Sequence, residues 1–431
     1  MLKSVLFAAA VLSGTLLSGH RAFAQGYTFT KVADSGLDDF DPVSTGAPSL
    51  SDTGYVAFST SSAGKSVSRV LRSGKELARP LVTIGDDSIN VEVGSFSDNV
   101  SVNNLGQVAV WATIRLPRLD ERILRSSGGP LDTIAEAGDD SEFSFMSVIV
   151  SMNDAGTVAW QGEINLPNGP QGLFTGSGGP VTTIFSTASS MFTSSFAGPA
   201  INNAGQIAFR ASTAGNGGDA VFRYDGGSKF TTIVNAGGPF SHAFDDEPSI
   251  NSDGRVAVIG RSNDQSITYV IVGDGAEPAV PVVDTTGEFE SINTAGINDS
   301  GQIAFSASLD DFTTQGIFTG PDVIKDRVIS TGDALDGSTV SFLSMYREGL
   351  NNAGQIAFFA QLDDGRGVIM VASPANSCPA DFNGDGTANS QDFFDYLAAF
   401  FKGTLAADFN SDTFVNSQDL FDFLVVFFVG C

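Results

Sequence analysis

Two twelve-residue stretches near the C terminus carry the residue types best suited to chemistry. In Asp381-Phe382-Asn383-Gly384-Asp385-Gly386-Thr387-Ala388-Asn389-Ser390-Gln391-Asp392, oxygen-bearing side chains fall at places 1, 3, 5, 9 and 12, with glycine at place 6. Calcium takes six to eight hard oxygen ligands, and a loop of this length supplies them by wrapping round the ion. Gly386 allows the sharp turn, and Thr387 at place 7 would offer its backbone carbonyl. The expected ligands are therefore Asp381, Asn383, Asp385, Thr387, Asn389 and Asp392. The pattern returns 27 residues later, from Asp408 to Asp419, with Asp408, Asn410, Asp412, Phe414 (through its carbonyl), Asn416 and Asp419 in the matching places. Thr413 stands where the first loop has Gly386, and a non-glycine residue tolerates positive φ poorly, so the second site is expected to bind calcium more weakly.

Each loop needs an element to hold it. Apolar residues at helical spacing follow both loops: Phe393, Leu397, Phe400 and Phe401, then Leu420, Leu424, Phe427 and Phe428. Two EF-hand-type loops, each leading into one helix at the same offset, make residues 378–431 an internal duplication and a small α-helical unit. Two such loops with Asp at place 12 resemble the type I dockerin family. The resemblance implies a module that folds around two calcium ions and docks onto a cohesin-like receptor. It also implies that loop places 10 and 11, here Ser390, Gln391, Ser417 and Gln418, contact that receptor. The chain departs from the family in its phenylalanine-rich helices, its bracketing cysteines and its abrupt Gly430-Cys431 end. It is similar to a Gly-Cys-ended dockerin variant at the C termini of exported bacterial proteins, which shifts weight from a cellulosome partner to attachment at a cell surface.

No second chemical centre of comparable specificity stands out. The chain holds 2 histidines, of which only His242 lies beyond the N-terminal leader, and there is neither an H-E-x-x-H nor a G-x-S-x-G motif. Adjacent acids at Asp86 and Asp87, Asp139 and Asp140, Asp245 and Asp246, and Asp310 and Asp311 keep an acid-pair glycosidase open as an alternative. Ser51-Asp52-Thr53-Gly54 resembles the Asp-box turn of sialidase propellers, but the box's tryptophan is missing. The sequence thus names no catalytic residue.

The larger part of the chain is a repeat. Ile201-Asn202-Asn203-Ala204-Gly205-Gln206-Ile207-Ala208-Phe209 has six relatives, and the copies begin at Leu50, Val102, Met152, Ile201, Ile250, Ile297 and Leu350. A period near 50 residues points to a solenoid or propeller. Each copy reads as an Asn/Asp/Ser-Gly turn running into a strand apolar on both faces, with alanine always in the middle place. A second strand type, such as Thr182-Thr183-Ile184, recurs between copies. The last copy lacks it, while the N terminus supplies an extra one at Tyr27-Thr28-Phe29. The count balances when both termini share one sheet, which leaves no open edge. The expected fold is all-β, a seven-bladed β-propeller over residues 25–373, then a linker at 374–377 and the dockerin-like domain at 378–431; an open β-solenoid or paired sandwiches are the alternatives. The repeat region also resembles bacterial secreted proteins with tandem N-x-x-G-Q-V-A-F repeats.

Composition places the protein outside the cell. Residues 1–24 read as a secretory signal, with Lys3, an apolar run and Ala22-Phe23-Ala24 as the cleavage site after Ala24. No later stretch is apolar enough to span a membrane. In an oxidising compartment Cys378 and Cys431, at the two edges of the C-terminal unit, are expected to form a disulfide worth about 4 kcal/mol by chain entropy, with two free thiols as the alternative. The formal net charge of -27 disfavours nucleic acid and anionic membranes as partners and favours cations. These readings converge on an exported, non-catalytic binding or display protein. Its propeller would present a surface to a glycan or protein ligand, and calcium would hold its tail ready for a receptor. A polysaccharide-acting enzyme and a structural surface-layer protein are the alternatives.

Overall fold

The computed structural model describes residues 26–61, 68–74, 82–84, 93–114, 120–128, 131–167, 169–195, 198–214, 219–235, 240, 247–276, 278–375, 380, 382, 388–410 and 414–429. The repeat begins with its turn. In the copy at Ile201, the Asn202 side-chain oxygen accepts from the backbone N–H of Ala204 and of Gln206, at 3.1 and 2.9 Å, and Gly205 takes φ +77°. All seven repeat glycines, Gly54, Gly106, Gly156, Gly205, Gly254, Gly301 and Gly354, have positive φ between 73° and 87°. The side-chain bond fixes the turn and the glycine admits it, so the local sequence is sufficient.

The turn delivers the chain into the strand Ile207–Thr213. This strand pairs antiparallel with Asp219–Tyr224, which pairs in turn with Phe230–Val234. On its other side it takes the short strands Phe192–Ser195 and Ala200–Ile201. Other repeats build comparable antiparallel sheets; two of them are joined by a single parallel pair, Ala137 with Phe143, into one ten-stranded sheet. The middle alanines Ala57, Ala109, Ala159, Ala208, Ala257, Ala304 and Ala357 are all wholly buried. Each packs into the core of the next sheet, as Ala208 does against Val256, Val258 and Ile271, and Ala304 against Ile356 and Phe358. A methyl group there lets one sheet approach its neighbour closely, while the large residues beside it fill the gap at about 1.5–3 kcal/mol per buried side chain.

The ends close on each other as the strand count requires. The N-terminal strand Tyr27–Asp34 pairs antiparallel with Gly367–Pro374, from Tyr27 opposite Pro374 to Asp34 opposite Val368, with one bulge between Lys31 and Ala33. Val32 and Ala33 join a buried cluster with Ile369 and Val371 from the last repeat and Leu50, Phe58 and Leu71 from the first. Charges lock the seam. Lys31 reaches Asp34 at 2.9 Å and Asp336 at 2.7 Å, and Arg366 reaches the same two carboxylates at 2.8 and 2.6 Å. The result is a propeller-like ring of sheets around a central axis.

Two helices follow, α1 (Ser390–Lys402) and α2 (Ser417–Val429). Asn389 caps α1 in a reciprocal box with Asp392, and Gly403 ends it in the left-handed conformation. Tyr396 and Phe423 hold the same place in the two helices, and their rings stack with centroids 3.9 Å apart and planes within 1°. Phe382 meets Tyr396 edge-on at 5.3 Å, and Phe409 meets Phe423 edge-on at 5.6 Å. The duplicated sequence is thus a duplicated structure whose halves meet at the stacked pair. Among the described residues no helix is long and apolar enough to cross a membrane.

Candidate functional site

The loops of the C-terminal pair are described in part. Asp381, Asn383, Asp385, Thr387 and Asp412 lie outside the described residues, as do Cys378 and Cys431. Among the described residues no three His, Cys, Asp or Glu side chains gather as a metal group. The place-12 aspartates are the informative ones. Asp392 and Asp419 are both wholly buried at the third position of their helices. Asp419 accepts the backbone N–H of Asn416 at 2.7 Å, of Phe409 at 2.9 Å and of Asn410 at 3.3 Å. These donors, Asn416 foremost, hold its carboxyl below the usual range, because they favour the charged form over the neutral one. A buried, ionised carboxylate folded back onto the start of its own loop suits a hard cation. Asp392 accepts from Asn389 N–H at 2.9 Å in the same way.

The place-9 residues do something else. The side-chain oxygens of Asn389 and Asn416 accept from the N–H of Gln391 and Gln418, both at 2.8 Å, so they serve as helix caps. A ligand role at this place would run through water, as is common in such loops. Phe414 accepts the side-chain amide of Asn416 on its carbonyl at 3.4 Å, and Asp408 and Asn410 lie at the loop start. Ser390, Gln391, Ser417 and Gln418 are exposed, and each glutamine donates to the acid four residues on, Asp395 or Asp422.

The helix faces differ from the periodicity reading in one respect. Phe401 and Phe428, expected on the apolar face, are 80% and 78% exposed. With Phe394 at 62% and Phe421 at 60% they form matched stripes that begin at the Ser-Gln pairs. Both helices carry phenylalanine on more than one side, and only one side of each is covered by its partner helix, which is why spacing alone misplaces them.

A second site lies on the axis of the ring. The repeated asparagines of the turns link neighbouring repeats: Asn103 donates to the Asn153 carbonyl at 3.1 Å, Asn202 to Asn251 at 2.9 Å, and Asn298 to Asn351 at 3.1 Å. Asn351 closes the circle on the Ser51 carbonyl at 3.3 Å, 300 residues away. Outside this ring Asp52, Asp154 and Asp299 alternate with the amides of Asn104, Asn203 and Asn352. The turns enclose a polar cavity of about 170 Å³.

Sevenfold repetition cannot by itself make a unique site, and the departure comes in the last repeat. Between Met345 and Leu350 the strand register breaks, and Tyr346-Arg347-Glu348-Gly349 crosses the axis. Buried Arg347 donates to the carbonyls of Gly198 and Pro199, both at 2.6 Å, and of Pro248 at 2.8 Å. Glu348 lines the cavity on the turn side; burial raises its pKa, while Arg347 and the hydroxyls of Ser101 and Ser151 pull it down. On the far side Glu247 lies 3.6 Å from Arg347; burial raises its pKa too, against Arg347 and the Tyr346 hydroxyl. A second cavity, of about 430 Å³, opens there beside Glu247, Tyr346 and Phe342. The closeness of the crossing is set by Gly296, where a Cβ would stand 2.3 Å from the Arg347 carbonyl oxygen.

None of these axial residues is singled out by motif reading. A signal exists nonetheless: the place two before the apolar start of each copy is Pro48, Val100, Val150, Pro199, Pro248 and Ala295 in six repeats, and Glu348 in the last. Of the adjacent acids that are described, Asp310 and Asp311 line, with Glu288, a cavity of about 530 Å³. Asp311 is bound by the N–H groups of Thr313 and Thr314 and the Thr314 hydroxyl, which hold its pKa down to about 2, and Asp139 and Asp140 are exposed in a turn. Asp86, Asp87, His242, Asp245 and Asp246 fall outside the described residues.

Residues 123–272 match a family of unknown function, DUF7453. No curated protein matches the chain in sequence. Among solved structures it is similar to an oligogalacturonate lyase in complex with manganese, at TM-score 0.50 and 10% identity over 82% of this chain and 99% of that one. It is also similar to an oligogalacturonate lyase from Vibrio parahaemolyticus, at TM-score 0.47 and 10% identity over 80% and 97%. Prolyl oligopeptidase B from Galerina marginata matches at TM-score 0.48 and 13% identity over 80% of this chain, which spans 48% of that protein's length. At such identities the likeness to the first structure concerns the fold alone, and it agrees with the propeller-like ring.

Proposed function

We propose that the protein is an exported, non-catalytic display protein: a seven-bladed propeller whose C-terminal pair of calcium loops, a dockerin-like module, attaches it to a receptor at the cell surface or in an extracellular complex. Seven positive-φ turns, a shared terminal sheet and the Asn351 to Ser51 bond support the blade count. The observation that carries the attachment reading is the duplicated pair of helices. Each starts on a wholly buried aspartate and exposes a Ser-Gln pair running into two phenylalanines. Calcium would supply positive charge at the loop centre and draw the loop oxygens together. The chain's own part is to place Asp392 and Asp419 there, ionised and shielded, and so to fix the angle between loop and helix.

The test is calorimetric titration of calcium into the full chain, with Asp392→Ala and Asp419→Ala in parallel. The reading expects two binding events, the first loop tighter, each lost in one variant. It also expects retention of the protein on the producer's cell envelope to be lost on chelation. Absence of calcium heat, or variants that titrate like the parent, would remove its basis.

A further inference from the structure

The departure from sevenfold symmetry on the axis builds a chamber that the attachment reading does not use. We infer that the cavity on the side of the ring opposite the Asn-Gly turns, between Phe342, Glu247, Thr294 and Ser344, is a binding site for a neutral polyhydroxylated ligand, such as the terminal sugar of a glycan. The inference rests on the propeller of the proposed function and names what its displayed surface holds.

Four features select this chemistry. The cavity, about 430 Å³, falls in the ~300–1,000 Å³ range of small-ligand pockets. Phe342 is 45% exposed at its wall, and an aromatic face open to solvent beside polar groups suits the C–H face of a sugar ring. The hydroxyls of Thr294 and Ser344 line the same cavity and make no hydrogen bond to described protein atoms, so both are available to a ligand. Glu247 lies mostly buried at its edge, held by Arg347 from the axis, and a fixed carboxylate oxygen accepts well from ligand hydroxyls.

Charge then separates neutral from anionic ligands. Asp98 is a second carboxylate on the rim, and among the described residues no lysine or arginine lines the cavity. Arg347, the nearest guanidinium, is committed to the carbonyls of Gly198, Pro199 and Pro248. A uronate would bring its negative charge against Glu247 and Asp98 with no cation to meet it. Glu247, braced by Arg347, is placed to hold a ligand hydroxyl.

The full-length protein would be titrated by calorimetry with methyl glycosides of glucose, galactose, mannose and N-acetylglucosamine, their β-linked oligomers, an oligogalacturonate and a neutral hydrophilic peptide. Products would be analysed for cleavage. The expected result is saturable binding of at least one neutral glycan without turnover, weakened tenfold or more by Phe342→Ala and several-fold by Ser344→Ala. Leu166→Ala, at an exposed side chain in another repeat, should bind as the parent does. Both cavity positions tested are partly exposed, so these variants should keep the parent's melting temperature. Binding should persist in chelator, which separates this site from the calcium loops: loss of calcium binding with intact glycan binding would sink only the attachment reading. The inference is overturned if no neutral glycan binds, if the oligogalacturonate or the peptide binds more tightly, or if Phe342→Ala binds like the parent.

Discussion

The seam between the first and last strands offers a sharp test of the closed ring. Asp34 is almost fully buried, and its carboxylate meets Lys31 at 2.9 Å, Arg366 at 2.8 Å and the Gly36 N–H at 2.9 Å. Asp34→Asn keeps the shape and removes the charge. Hydrogen bonds to charged groups contribute about 1.5–3 kcal/mol each, and breaking a buried ion pair costs about 3–5 kcal/mol. Lys31 and Arg366 are partly exposed and keep Asp336 as a partner, so the expected loss is the smaller figure, about 2–3 kcal/mol. For a chain of this size that corresponds to a fall in Tm of about 2–4 °C. Burial raises the pKa of Asp34, but the bonds from Lys31, Gly36 and Arg366 outweigh it and the net shift is downward from 3.8. A carboxylate depressed in the folded state stabilises the fold above its ordinary pKa and loses that contribution as pH falls through the folded value. The gap between parent and variant should therefore be full at pH 5 and above and shrink below about pH 4. Urea denaturation of parent, Asp34→Asn, Arg366→Met and the double variant measures the coupling directly. If the two changes simply add, or if Asp34→Asn costs no more than Asp310→Asn at an exposed turn, the ion cluster does not hold the seam.

Five further outcomes follow from the geometry. Asn202→Ala removes the acceptor for two turn N–H groups and the bond to Asn251, and should cost about 2 kcal/mol in chemical denaturation. Gly205→Ala should cost about 1 kcal/mol, because its φ of +77° is strained for alanine but the space is open. Gly106→Ala should cost more in the same assay, since its Cβ would lie 2.7 Å from the Tyr55 ring. In the helical pair, Tyr396→Ala loses the stack on Phe423 and should destabilise the module by about 3–5 kcal/mol, read by near-ultraviolet circular dichroism. Phe401→Ser should leave that signal intact and abolish retention on the envelope.

Legibility follows the range of the forces. The turn was readable because an asparagine oxygen and a glycine two or three residues apart do the whole job. The middle alanines were readable because close sheet contact admits only a methyl group. Even the long-range closure of Tyr27–Asp34 on Gly367–Pro374 could be inferred, since unpaired strands must balance. The axial crossing could not. Arg347 is fixed by Gly198, Pro199 and Pro248, up to 149 residues away, and nothing local says that it points inward. Phe401 and Phe428 were misread for a related reason: a helix with phenylalanine on more than one side does not declare which side its neighbour covers. The place-9 asparagines fit a calcium loop and a helix cap equally well by sequence, and the structure shows them capping.

The pairing of Tyr27–Asp34 with Gly367–Pro374 also bears on how the protein is made. Thr28 and Ser373 are 345 residues apart, so the first strand to be synthesised waits, without its neighbour, until nearly all the chain has been made. Contacts between such distant segments form late and slowly, and the waiting edge is a template for mispairing. Of its eight residues, Thr28, Thr30, Lys31 and Asp34 are polar, which keeps the idle segment soluble in transit. The last sheet to complete is then also the one that commits the nascent molecule to its final form.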